Sequence, residues 1–235
     1  MRFSAFLPAV AGLSTVVAVS AIAPSIAHSA TFQAESGVTS VFLDFDTLET
    51  LGITLAGADG VVDPASSDFQ VGFAITPETD FTFSDDNGFT PISGTIEHSG
   101  SISLAIDTLG GDVTLGDFTI GFDANRVSDT TSGFFVQDNL DLDTVLFDID
   151  MPDTLALDDD SLTLVADLLV APEFAEILTT LEKPDLTGVE IGAARTDANL
   201  VAVSDGGASV PEPATVLGLV GVGAAVLSQK AGRRA

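Results

Sequence analysis

Short runs in which apolar and polar residues alternate are the feature of this sequence that most restricts its fold. Such runs occupy residues 69–76, 101–107, 118–123 and 144–150, where Phe, Ile, Leu or Val recurs at every second position. A period of two places the apolar side chains on one face of a β-strand and the polar side chains on the other. Because Gly, Asp and Asn clusters separate the runs, we expect half-buried antiparallel strands joined by turns, with their phenylalanines in the core.

One stretch departs from this pattern. The apolar residues of 172–181 recur at helical intervals, and Pro172 stands at the first turn, where proline is tolerated. Pro184 ends the pattern. The sequence therefore predicts a mainly β fold, namely a single antiparallel β-sandwich or partly closed barrel of about nine to twelve strands with one short helix.

The N-terminal segment, residues 1–30, has the order of a secretory signal peptide. Arg2 precedes an apolar run over 3–23, and small residues follow at 27–30. Cleavage after Ala27, Ser29 or Ala30 would suit signal peptidase. We therefore expect an N-terminal signal helix and export of the chain; the alternative is a retained N-terminal membrane helix.

The C-terminal segment has a polar linker at 204–209, a proline-flanked glutamate, an apolar run at 214–227 and a basic end. As a helix, the apolar run would rise about 21 Å, less than the roughly 30 Å of a hydrocarbon core. Cations beyond the run favour a cytoplasmic tail and an exported domain. We therefore predict a short C-terminal transmembrane helix that is a marginal anchor.

This order of motif, helix and basic end resembles the PEP-CTERM sorting signal of Gram-negative bacteria and cyanobacteria. The resemblance implies processing by exosortase, a membrane transpeptidase-like enzyme that removes the tail and releases or transfers the protein to the cell surface or extracellular matrix. Two groups of residues are implied: the sorting motif Val210, Pro211, Glu212 and Pro213, and the cytoplasmic basic stop Lys230, Arg233 and Arg234. The alternative is a permanent short anchor with a proline-rich stalk.

Charge excludes some partners. Residues 31–209 hold 34 of the 35 acidic residues and three cations, which gives a net charge of −31. Such a domain repels phosphate backbones, so no nucleic-acid partner is expected. Two explanations of this negative charge remain open. The protein is adapted to a saline medium, where ions screen the repulsion between its carboxylates, or its carboxylates recruit divalent cations. The absence of cysteine from the sequence excludes disulfides, thiol catalysis and cysteine-ligated zinc.

Groups suited to catalysis are scarce. His98 is the single histidine of the exported domain and lies between two predicted strands, where we expect a solvated hairpin residue. The sequence contains none of four common motifs: the nucleophile elbow of hydrolases, the zinc-protease motif, the phosphate-binding loop and the dinucleotide-binding glycine motif. A glycosidase would need two facing carboxylates, and Trp and Tyr, which commonly stack on sugars, are both absent. We therefore expect no enzyme, no catalytic residue and no bound cofactor.

Calcium is the one cofactor that the sequence suggests. Oxygen-rich stretches occur at Asp85–Gly88, Asp138–Asp143 and Asp158–Asp160, although none follows the helix-loop-helix template. Asp44 and Asp46 stand two apart, which would place them on one face of a strand. The alternative, which we favour, is that these residues form turns and a solvated outer face, so we assign no metal ligand.

The middle of the chain also loosely resembles the layout of Htaa-type bacterial haem-binding domains. The segments that carry this resemblance are Gly94–Leu104, Phe118–Ile120, Leu146–Asp150 and the predicted helix. Members that bind haem use tyrosine and histidine, and the absence of tyrosine here means that haem binding does not carry over.

Taken together, the sequence divides into four parts: a signal peptide at 1–30, an acidic β domain at 31–203, a linker at 204–209 and a PEP-CTERM-like signal at 210–235. The predicted function is that of an exported, non-enzymatic surface or extracellular-matrix protein. It would be anchored transiently in the inner membrane before it reaches the cell surface or medium. The alternative is an extracellular calcium- or ligand-binding β module.

Overall fold

A computed structural model describes residues 31–86 and 88–203 of the chain. The signal segment, the linker and the sorting segment lie outside these residues. The described part contains fourteen strands and two helices: β1 (Thr31–Leu43), α1 (Phe45–Thr50), β2 (Ile53–Asp59), β3 (Val71–Ile75), β4 (Thr82–Ser84), β5 (Thr90–Ser93), β6 (Ile96–Ser99), β7 (Ser101–Ile106), β8 (Gly111–Gly116), β9 (Thr119–Val127), β10 (Thr131–Gln137), β11 (Val145–Asp150), β12 (Thr154–Leu157), β13 (Ser161–Val170), α2 (Pro172–Thr180) and β14 (Glu190–Val203).

Eight of these strands close an antiparallel barrel. Their order around the barrel is β1-β3-β6-β9-β10-β11-β13-β14, and β14 pairs again with β1. Strands β4 and β5 extend the sheet beside β1, β12 pairs with β13, and β2, β7 and β8 form a separate three-stranded sheet. The predicted mainly β fold is confirmed; of the two predicted architectures, the sandwich and the partly closed barrel, the structure has the barrel, and it is closed.

The alternating runs form strands as expected. On β7, Ile102, Leu104 and Ile106 are buried, while Ser103 and Ala105 between them are partly exposed. The prediction that the phenylalanines lie in the core is wrong for Phe122, which is 37% exposed. Its ring packs against the edge of Phe134, with centroids 5.2 Å apart, and leaves its other side to solvent.

The predicted helix is confirmed as α2, which begins at Pro172 and buries Phe174 and Leu178. A second helix, α1, was not predicted. Asp44 caps α1, because its side chain accepts a hydrogen bond from the Thr47 backbone N–H at 3.1 Å. The expectation that Asp44 and Asp46 share a strand face is therefore wrong, since Asp46 lies in the first turn of α1.

The barrel interior has two differently filled halves. The half near the start of β1 is packed with phenylalanine rings, such as Phe83, whose centroid lies 4.6 Å from that of Phe89 and 5.6 Å from that of Phe32. The half near α1 and α2 is lined mostly by Leu, Ile and Val. Between the halves, Thr39 and Thr196 place their hydroxyl groups inside the barrel.

Candidate functional site

His98 lies inside the barrel. The imidazole is 4% exposed, so the expectation of a solvated hairpin residue is wrong. Its position on β6, between β3 and β9, turns the ring inward. The Nδ1 atom lies 2.9 Å from the Phe118 carbonyl oxygen, and the Nε2 atom lies 2.8 Å from the Thr39 hydroxyl. Burial lowers the pKa of His98 to about 4, so the ring is neutral near pH 7.

These contacts fix the direction of every hydrogen bond in the group. A carbonyl oxygen only accepts, so Nδ1 of His98 carries the proton and donates it to Phe118. The Nε2 atom must then accept from the Thr39 hydroxyl, which in turn accepts from the Thr196 hydroxyl at 3.0 Å. Both imidazole nitrogens are therefore occupied within the fold, and no lone pair of His98 is available to act as a base.

Two apolar cavities flank this hydrogen-bonded group. The first has a volume of about 60 Å³ and is lined by 22 residues, of which only Thr39 and His98 are polar. The second, of about 20 Å³, lies among phenylalanine and aliphatic side chains on the side of Thr196. Neither cavity collects the converging polar groups that mark a substrate pocket.

The stretch Asp138–Asp143 uses its oxygens within the protein. Asp138 is fully buried, and its carboxylate accepts hydrogen bonds from the backbone N–H groups of Gly116 at 2.7 Å, Leu142 at 2.8 Å and Asp143 at 3.3 Å. Asp141 accepts from the backbone N–H of Thr114 at 2.7 Å. These carboxylates fasten the β10–β11 connection to β8.

The two other oxygen-rich stretches meet at the surface. Asp85 and the turn Asp158–Asp160 line one open cleft of about 490 Å³ together with Phe32 and Leu157. Within the described residues, no group of three or more Asp, Glu or His side chains is arranged to hold a metal ion. The structure therefore brings two of the three predicted calcium loops together without forming a coordination shell.

Each cation of the described chain is paired with acid. Arg126 bonds Asp148 at 2.8 Å and also contacts Glu173 of α2. Lys183 pairs with Asp107, and Arg195 lies 2.7 Å from Asp197. Residues 31–209 carry 34 acidic side chains against these three cations, so the domain is strongly anionic.

Salt is expected to stabilise this domain. Raising NaCl to about 1 M shortens the screening length to about 3 Å and should relieve about 2 kcal/mol of repulsion. For a domain of this size, that relief corresponds to a rise in Tm of about 6 °C. Calorimetry at pH 7 measures the rise, and at pH 3, where most carboxylates are neutral, it should be much smaller. A Tm that stays constant or falls with salt at pH 7 would contradict this expectation.

The C-terminal segment matches a known sorting motif. Residues 209–234 match the PEP-CTERM protein-sorting motif. The chain carries a PEP-CTERM sorting signal. This signal indicates exosortase-dependent sorting toward the cell surface. The match includes Val210–Pro213 and the basic residues Lys230, Arg233 and Arg234, whose individual roles stay predictions.

The PEP-CTERM segment and the predicted signal peptide both lie outside the described residues, so their predicted helices stay predictions. In the part of the chain that the structure describes, no helix has the length and hydropathy that a membrane span requires.

Comparison with solved structures gave a weak similarity to the crystal structure of the C-terminal domain of HtaA from Corynebacterium glutamicum. The identity is 15% and the TM-score 0.45, over 72% of this chain and 99% of that domain. Comparison with curated proteins gave no match.

Sequence reasoning missed the residues that organise the interior. Thr39 and Thr196 stand 157 positions apart and meet only because β14 pairs with β1. The sequence does not separate Asp138 from its acidic neighbours; the one local sign of a partly buried loop is Leu142, which packs against the core.

Proposed function

We propose that the chain is an exported, non-enzymatic protein of the cell surface or extracellular matrix. A signal peptidase removes residues 1–30, the C-terminal helix holds the domain transiently in the inner membrane, and exosortase then removes the tail. The observation that carries this proposal is the match of residues 209–234 to the PEP-CTERM motif, which begins six residues after the barrel ends at Val203.

The interior of the barrel supports the non-enzymatic part of the proposal. The nitrogens of His98 are both engaged, and the cavity beside it is apolar. Asp138, the most deeply buried carboxylate, is satisfied by backbone N–H groups. Both groups are buried and hydrogen-bonded within the fold, which favours a structural role for them over acid-base or nucleophilic catalysis.

Processing can be tested by expressing the full chain in matched hosts with and without exosortase. With exosortase, we expect a secreted product that begins within residues 28–31 and ends at or before Pro213, as determined by intact mass. Without exosortase, we expect the chain in the membrane fraction with its tail attached. A secreted product that retains residues beyond Pro213 would refute the proposal.

Variants of the motif sharpen this test. The double substitution Pro211→Ala/Pro213→Ala should keep the chain in the membrane fraction of the exosortase-bearing host, because a helical motif would be hidden from the enzyme. Asp205→Asn, in the linker, is the matched control and should be processed normally.

The alternative function is that of an extracellular calcium- or ligand-binding module. One observation favours it: the cleft at which Asp85 meets Asp158–Asp160. Under this alternative, millimolar CaCl₂ raises Tm more than NaCl of equal ionic strength does. The reason is that an ion bound only by the folded state stabilises the folded state. Asp158→Asn/Asp160→Asn would abolish the extra rise. Equal rises in the two salts would show screening alone.

A further inference from the structure

The segment that contains α2 forms a flap on the barrel, which we define as residues 172–187. The two ends of the flap meet. The Gly188 backbone N–H donates to the Val170 carbonyl oxygen at 2.8 Å, and the Val170 N–H donates to the Val189 carbonyl oxygen at 2.9 Å. These bonds continue the pairing of β13 with β14, so the flap leaves the barrel and returns to it at one place. Within the part of the chain that the structure describes, no backbone hydrogen bond joins the flap to a residue outside 170–189.

Ion pairs fasten the flap to strands with which it shares no backbone hydrogen bond. They use two of the three cations of the described residues. Arg126 of β9 bonds Asp148 of β11 at 2.8 Å and also contacts Glu173 at the start of the flap. Lys183, near the other end of the flap, pairs with Asp107, which follows β7.

The fastening at Glu173 is incomplete. One carboxylate oxygen contacts Arg126, while the other, Oε2, is shielded from solvent and has no hydrogen-bond partner among the described residues. A shielded oxygen without a donor offsets part of what the ion pair contributes. The flap is therefore held mainly by apolar packing and two ion pairs.

The flap also forms one wall of the larger apolar cavity. Its residues Phe174, Leu178 and Leu186 line this cavity of about 60 Å³, and α1 and the strands supply the other walls. Since both ends of the flap lie at one place, movement about these ends would open the wall without breaking a strand pair of the barrel.

The lining of the cavity disfavours water. The Thr39 hydroxyl is used by His98 and Thr196, and the imidazole of His98 is used by Thr39 and Phe118. A buried water molecule needs about two to four polar partners, which this lining does not offer. The volume exceeds that of a water site and is well below the roughly 150 Å³ of a dry cavity that binds benzene. It therefore suits an apolar molecule smaller than a benzene ring.

We propose that this cavity is a binding site for a small apolar molecule and that the flap is its lid, fastened by the ion pairs of Arg126 and Lys183. The Glu173 and Asp107 side chains are 42% and 62% exposed, so dissolved ions reach the fastening although they do not reach the cavity. The proposal concerns the interior of the barrel and does not depend on how the chain is sorted.

The site is tested with xenon, an apolar atom that binds in cavities of this kind. The full chain, labelled at its methyl groups, is placed in lipid nanodiscs and observed by NMR under xenon and, as the control, under helium at the same pressure. We expect xenon to shift the Leu178 and Leu186 signals saturably and to leave the exposed Leu155 unchanged. The absence of saturable shifts at Leu178 and Leu186 would overturn the site.

A variant that fills the cavity keeps this test specific. Ala194 lines the cavity from β14, so Ala194→Val should remove most of the xenon-induced shift. If calorimetry shows that this variant does not fold, Val71→Ile adds a single methyl group to the same cavity and should weaken xenon binding. Full shifts in a folded filling variant would also overturn the site.

The lid is tested by amide hydrogen exchange of the full chain in nanodiscs. Glu173→Gln should speed exchange of the flap about fivefold, because it removes one ion pair. Glu176→Gln removes the same charge from the exposed face of α2 and should leave this rate unchanged. Exchange in β14 should be the same in both variants. Equal flap rates in the two variants would refute the lid and leave the site standing.

Salt and xenon should act on the flap in opposite directions. NaCl at about 1 M should speed exchange of the flap, because screening weakens both ion pairs, although the same salt is expected to raise the Tm of the domain. Xenon should slow this exchange, because it binds the closed form. Slower exchange in salt would refute the ion pairs as the fastening, and xenon binding without slower exchange would refute the flap as the lid.

Discussion

Replacing Asp138 with alanine is expected to lower the free energy of unfolding by about 4 kcal/mol, the largest effect that we expect from a single substitution in this domain. The carboxylate is fully buried and accepts from three backbone N–H groups, those of Gly116, Leu142 and Asp143. The substitution leaves these donors without a protein acceptor. Chemical denaturation at pH 7 measures the loss.

Two further variants distinguish charge from shape. Asp138→Asn keeps the volume but turns an NH₂ group toward at least one N–H donor, so it should be nearly as destabilising as alanine. Asp143→Asn removes the same charge from the same loop at an exposed position and should change stability by less than about 0.5 kcal/mol. Equal losses at positions 138 and 143 would show that net charge, and not the buried hydrogen bonds, governs the loop.

Acid is expected to destabilise the barrel through His98. Burial lowers the pKa of this imidazole from 6.5 to about 4 in the folded chain, so between these values the unfolded chain binds a proton that the folded chain does not. The stabilisation is complete above pH 6.5 and is lost as the pH falls toward 4. The shift corresponds to about 3 kcal/mol.

The physical cause is the direction of the hydrogen bonds. A protonated Nε2 must donate to the Thr39 hydroxyl, which then either donates to Thr196 or keeps accepting from Thr196 and leaves its own proton without its former acceptor. In the first case the Thr196 hydroxyl loses its acceptor and faces a cavity whose other lining side chains are all hydrocarbon. Protonation therefore costs both desolvation and one hydrogen bond.

The measurement compares the chain with His98→Gln, which cannot titrate. Carboxylates contribute equally to both proteins, so the difference between their free energies of unfolding isolates His98. We expect this difference to shrink by about 3 kcal/mol from pH 7 to pH 4. A difference that stays constant over this range would show that the imidazole is not desolvated in the folded protein.

The strands and α2 were predictable because their signals are local. The alternation of apolar and polar residues in 101–107 indicates which face of β7 is buried. Pro172 indicates the start of α2 without reference to any distant part of the chain. The helix α1 has six residues and one polar cap at Asp44, so its pattern was too short to separate from a strand.

The interior of the site could not be predicted, because it depends on which strands become neighbours. His98 follows Glu97 and precedes Ser99, a polar setting that is typical of a turn. The imidazole points inward toward Thr39 only because β6 pairs with β3 on one side and with β9 on the other. The sorting signal was predictable for the opposite reason, since its motif, apolar run and basic end stand in order along the chain and need no fold to be recognised.

The closing strand β14 pairs with β1 along one edge and with β13 along the other. It is also the last strand of the described residues in chain order, so a chain that stops before residue 190 leaves one long edge of β1 and one of β13 unpaired and open to other chains. Such a truncated chain cannot close the barrel, and it also lacks the sorting signal at residues 209–234. Every chain that carries the sorting signal therefore also contains the strand that closes the barrel, so a barrel left open by truncation is not sorted by this signal.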